Sequence, residues 1–172
     1  MKIINKTDFP DWMLRRMISW CAKELDFPVR QLALAEFKNT RRRSGDSLYV
    51  AWGGFARWRD ARANYKRSIN VRIAPNNDPF PRLTIKHHGG LQESIADRVE
   101  ALVKVTAHEI AHHEQHRRKT NTRRYNRRGG SERSTNQLAF RCLRLFREQR
   151  DKLLMEWFES KSNPVENSVS IG

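Results

Sequence analysis

The chain has 172 residues, 38% hydrophobic and 31% charged, a length that suits one domain with a core needing no disulfide or metal staple. No run approaches the ~18 apolar residues of a membrane span, the N-terminus MKIINKTDFPDW has no apolar signal core, and Cys21 and Cys142 lack Cys-x-x-Cys spacing; these features exclude a membrane protein and a secreted disulfide scaffold and predict a soluble cytoplasmic protein with buried thiols. Thirty-four Lys and Arg against 19 Asp and Glu leave a net charge of +15, clustered at residues 41–43, 57–62, 117–119 and 123–128, so DNA or RNA is a candidate partner, against the plainer reading of a basic surface that binds nothing.

Residues 8–26 are predicted helical, with Asp8 as cap, Pro10 in the first turn and Leu14, Ile18, Cys21 and Leu25 as an apolar stripe that Pro28 ends. RQLALAEFK predicts a strand, with Leu32 and Leu34 opposing Ala33, Ala35 and Phe37. After the basic turn NTRRRSGD, SLYVAW predicts a second strand, and the two together resemble a hairpin. SINVRIAP alternates at Ile69, Val71 and Ile73, and RLTIKHH is a short strand closed by Gly89 and Gly90.

A long helix is expected from Ser94, its N-cap, with Asp97 at N3 imitating a capping box. Residues 119–130 read as a basic loop. A last helix starts near Ser131, with Leu138, Cys142, Leu145, Leu153 and Trp157 on one side. The order predicts an α+β fold: an N-terminal helix, a three- to four-stranded sheet, and two long helices. Residues 1–160 form one domain, and 161–172 a flexible polar tail.

Four of the six histidines fall in HEIAHHEQH, residues 108–116. On a helix, four residues advance ~400°, so His108 and His112 stand one turn apart on one face and can ligate one zinc ion. Glu109 lies between them in angle, close enough to act as a general base on a water that the zinc activates. This is the H-E-x-x-H arrangement of metallopeptidases. The alternative is a histidine-bearing surface helix formed by chance.

The third ligand is open. His116 stands roughly 12 Å along the axis from His108, too far for one ion on an unbroken helix. His113 points away from His108, towards solvent or a supporting position, while His87 and His88 are reserve candidates. The pattern H-E-x-x-H-x-x-G-x-x-H is absent, because Gln115 and Arg118 hold its Gly and His positions. Glu132, twenty residues after His112 in the first turn of the last helix, is the better choice if that helix returns beside the first. A helix N-terminus also favours an acid for its own sake.

In these residues the chain resembles the gluzincin zinc peptidases, in which H-E-x-x-H is followed by a helix-borne Glu ligand. The likeness covers about residues 65–150, and the Glu132-x-x-x-Asn136-x-x-Ala139 run looks like the equivalent helix of minimal gluzincins. It implies a small zincin-like domain. It also implies that Asn136 takes the place of the acid that commonly orients a ligand imidazole, though without that acid's charge. By the same resemblance Arg82, Leu83, Thr84, Ile85 and Lys86 form an edge strand that pairs with an extended peptide substrate. Tyr125, or an arginine near it, is a candidate oxyanion donor, against simple loop packing. SprT-like proteases, which act on DNA-bound proteins, are a more distant likeness; their third ligand is a further His, and none follows His116. The expected function is a zinc metallopeptidase acting on protein or peptide, with nucleic acid as a possible neighbour. The competing class is a basic nucleic-acid-binding protein with a structural or inactive zinc site.

Overall fold

The computed structural model describes residues 1–39, 42–44, 47–49, 51–59, 65–74, 82–83, 94–119 and 130–159. Sequence periodicity assigns no strand before residue 30, yet Lys2–Lys6 forms β1, pairing in parallel with β2 (Leu32–Asn39). KIINK has only two adjacent apolar residues and no alternation, as an edge strand capped by lysines requires none. Parallel neighbours need a crossover, and the intervening helix α1 (Asp11–Glu24) supplies it.

The stripe Leu14, Ile18, Cys21 and Leu25 is buried as expected. The expected Asp8 cap is not made: Pro10 holds the N-cap position without a side-chain bond. Asp8 instead meets the fork of Arg98 with two contacts of 2.6 Å, a geometry a guanidinium satisfies better than one backbone N–H does. At the other end Asp26 takes the left-handed region (φ 54°). Its N–H donates to the Lys23 carbonyl and that of Phe27 to the Ala22 carbonyl, the doubly bonded stop that ends many helices.

The sheet has the order β1-β2-β6-β5. β6 (Tyr65–Ile73) runs parallel to β2, and β5 (Ala51–Arg59) antiparallel to β6, so the hairpin expected between β2 and SLYVAW does not form. Part of SLYVAW, Ser47–Tyr49, is instead β4, paired with β3 (Arg42–Ser44), and the central neighbour of β2 is β6. Ile69, Val71 and Ile73 are buried there, as their alternation predicts. In β2 a register shift between Leu32 and Leu34 breaks strict alternation. It lets Leu32 share the buried side with Ala35 and Phe37, which the period-two reading had opposed to it. Only Ala51 and Trp52 of β5 fall in the expected strand, because Gly53 and Gly54 interrupt its pattern.

Ser94–Ile95 is not helical but forms β8, paired with β7 (Arg82–Leu83). Helix α2 (Arg98–Lys119) starts three residues later than expected. Asp97 is its true cap, its Oδ1 accepting from the N–H groups of Val99 and Glu100 at 2.9 and 3.0 Å. Glu100 reaches back to the Ala96 N–H at 2.9 Å. Helix α3 (Gly130–Glu159) buries Ala139, Phe140, Cys142, Leu143, Phe146, Leu153 and Trp157. Leu138 and Leu145, expected on that face, lie at its half-buried margin.

One continuous core joins α1, β2, β6, α2 and α3, so the chain is an α+β domain with the H-E-x-x-H helix inside it. Both cysteines are free and buried, and burial pushes the Cys21 thiol up, the adjacent Cys142 adding to the effect. No helix among the described residues is long and apolar enough to cross a membrane. The tail at 161–172 lies outside the described residues.

Candidate metal centre

Two long helices lie antiparallel, and their contacts run in reverse order. From the N-terminus of α2, Asp97 and Glu100 meet Arg150 and Arg147, and Lys104 lies over the Phe140 ring at 5.5 Å. Further on, His112 meets Thr135 and Gln115 donates to Ser134 at 2.8 Å. Glu100 is buried, and Arg147 grips it with bonds of 3.0 and 2.7 Å. This clamp fixes the register, and that register carries the first turn of α3 to the middle of the H-E-x-x-H face.

There Glu132 stands against both imidazoles. Its carboxylate oxygens lie 3.4 Å from His108 Nε2 and 3.1 Å from His112 Nε2, and the two Nε2 atoms are 3.1 Å apart. Among the described residues these three form a group able to hold a metal ion. Ligands about 2.0–2.1 Å from a tetrahedral zinc are about 3.3 Å from one another; the two Nε2 atoms match that spacing, and Glu132 presents Oε2 to His108 and Oε1 to His112. Electron-pair donors so crowded repel unless a cation or shared protons lie between them. Two nitrogens and one carboxylate are a donor set that would suit zinc.

The surroundings grade from dry to wet. The His112 side chain is 7% exposed, that of His108 16% and that of Glu132 41%, so the centre opens to solvent on the α3 side. Thr135, fully buried, brings its hydroxyl within 3.5 Å of His112 Nδ1 and is placed to fix the ring. Sequence reasoning assigned that supporting role to the next residue, Asn136. Asn136 is half-buried, and His108 Nδ1 is buried without a hydrogen-bond partner among the described residues, so the Asn136 amide does not hold the His108 ring.

Glu109 is buried between the ligands in sequence. Burial pushes its carboxyl up to about 8, the Glu132 carboxylate acts in the same direction, and the Lys104 ammonium opposes them. Burial in turn lowers Lys104, against the pull of Glu109 and Glu132. Lys104 was missed, although it stands one turn before His108 at the same four-residue spacing that links His108 to His112.

His113 is not solvated. It is fully buried, its Nε2 lies 2.8 Å from the Ser68 carbonyl of β6, and its ring stacks on Phe27 at 6.0 Å. It ties α2 to the sheet on the side away from His108 and Glu132. Of the expected substrate edge, Arg82 and Leu83 lie in β7. Thr84, Ile85 and Lys86 lie outside the described residues, as do Tyr125, His87, His88 and the side chain of His116. Compared with protein-family models, curated proteins and solved structures, the chain matches none.

Proposed function

We propose that the protein is a zinc-dependent metallopeptidase of the cytoplasm, with His108, His112 and Glu132 as ligands and Glu109 as general base. The observation that carries this reading is the convergence of two imidazole nitrogens and one carboxylate close enough to share an ion, with a buried carboxyl next in sequence to a ligand. A zinc ion held there supplies Lewis-acid activation of a water and of a peptide carbonyl. Glu109 takes the proton from the attacking water and returns it to the departing amine. Thr135 orients His112, and by the family resemblance residues 82–86 would offer an edge for an extended substrate. Among the described residues three protein donors converge, where a structural zinc site has four, and this supports catalysis over a purely structural ion. Two free, buried cysteines fit a reducing compartment.

The test joins metal analysis to proteolysis. Glu109→Gln keeps one zinc per chain and loses at least about a hundredfold in cleavage of an unfolded protein substrate, a typical general-base contribution. Glu132→Ala loses most of its zinc. Undiminished cleavage by Glu109→Gln would refute the mechanism, and full zinc retention by Glu132→Ala would refute the ligand set.

A further inference from the structure

The five arginines of α3 fall into two sets. Arg147 and Arg150 turn towards α2 and pair with Glu100 and Asp97. Arg133, Arg141 and Arg144 are exposed, and no hydrogen bond or ion pair to a described residue engages them. At 100° per residue these three fall within an arc of roughly 80°, with exposed Gln137 among them, as a stripe roughly 16 Å long. The first acid on that face is Glu148, beyond Arg144. Arg141 and Arg144, three residues apart, repel each other, an arrangement that costs an isolated helix stability. The later part of α3 shows the ordinary surface solution instead, an ion pair between Lys152 and Glu156 at 3.8 Å.

The stripe has neighbours of its own sign. Residues 117–128, which lead into α3, hold seven Lys and Arg and no acid, within a chain of net charge +15. A duplex carries one negative charge per ~1.7 Å of axis, so a stripe of this length spans several phosphates. We propose that the outer face of the N-terminal half of α3 binds the phosphodiester backbone of double-stranded nucleic acid through Arg133, Arg141 and Arg144. Backbone contacts of this kind set position and affinity without reading sequence. Glu132 is the residue before Arg133, on the inward side of the same turn, so a duplex held by the stripe flanks the metal centre. The inference does not depend on the peptidase reading, because binding is measured without turnover.

The experiment is fluorescence anisotropy of labelled DNA and RNA duplexes over a salt series, with full-length protein. Replacing Arg133, Arg141 and Arg144 together by Gln makes the slope of log affinity against log salt shallower by about 2.7 on DNA, about 0.9 for each phosphate no longer neutralised. A control variant with Lys2, Lys23 and Lys38 changed to Gln carries the same charge change on β1, α1 and β2, whose side chains are also exposed, and keeps its slope within about one unit of the original. Weaker binding to DNA, to RNA or to both supports the surface and identifies the source of the phosphates. Equal slopes for the two variants, no change in the arginine variant, or binding to phosphatidylglycerol vesicles but to neither duplex would overturn it. Metal content and the helical circular dichroism of both variants stay at the wild-type level, which separates damage to this surface from failure of the metal centre.

Discussion

Glu109 shows how far a residue can be read alone. Its place between two histidines is enough to suggest a general base, but its proton affinity depends on what covers it. Burial comes first, then the Glu132 carboxylate, which sequence distance hides; together they raise the carboxyl to about 8 from an ordinary 4.5, against Lys104. A raised acid favours the folded state while protonated, so its contribution is complete below about 4.5 and is lost as pH rises towards 8. Zinc-stripped protein is therefore expected to lose a few kcal/mol of unfolding free energy between pH 5 and 8 from this group. Glu109→Gln flattens that decline, and urea titrations of both stripped proteins at the two pH values measure it. An equal decline in the two would show that the burial of Glu109 is not its source. His113 gives the opposite lesson: helical angle shows that it leaves the ligand face, but only β6 and Phe27 reveal that it is a core residue.

Elements were legible where their period was strong and their ends were not contested. The alternation of β6 and the stripe of α1 follow from the residues themselves, because one buried face imposes one period. Helix starts were misplaced because several capping residues compete. Ser94 and Asp97 both qualify for α2, and the pairing of Ser94–Ile95 with Arg82–Leu83 leaves the cap to Asp97. Asp97→Ala removes two bonds to the first turn and the Arg150 pair, and it is expected to lower stability by about 1–2 kcal/mol with zinc content unchanged. Thermal unfolding beside metal analysis tests this; a decrease below about 0.3 kcal/mol would mean that Glu100 and Arg147 hold the helix start without the cap. Strand β1 and most of β5 were illegible for a different reason, since their apolar residues are too few or too interrupted and their partners supply the order.

At the scale of the whole molecule, the candidate metal site lies between two helices whose register is set at the far end by Glu100 and Arg147. An ion bound to His108 and His112 of α2 and to Glu132 of α3 cross-links them and stabilises the folded state by mass action, about 2.7 kcal/mol at a hundredfold excess over the dissociation constant. Chelation is expected to lower the melting temperature by several degrees in the wild type and far less in Glu132→Ala. An equal drop in both would show that Glu132 takes no part in the cross-link. The residues alone were sufficient for the α+β class, for the helix that presents His108, Glu109 and His112, and for the proposal of Glu132, because helical spacing is a local property of consecutive residues. Sheet order, the true caps, the place of Thr135 beside His112, the burial of His113 and the sorting of the α3 arginines into paired and outward-facing sets were decided by the tertiary structure. Each depends on groups far apart in sequence, whose meeting is set by packing and not by any local period.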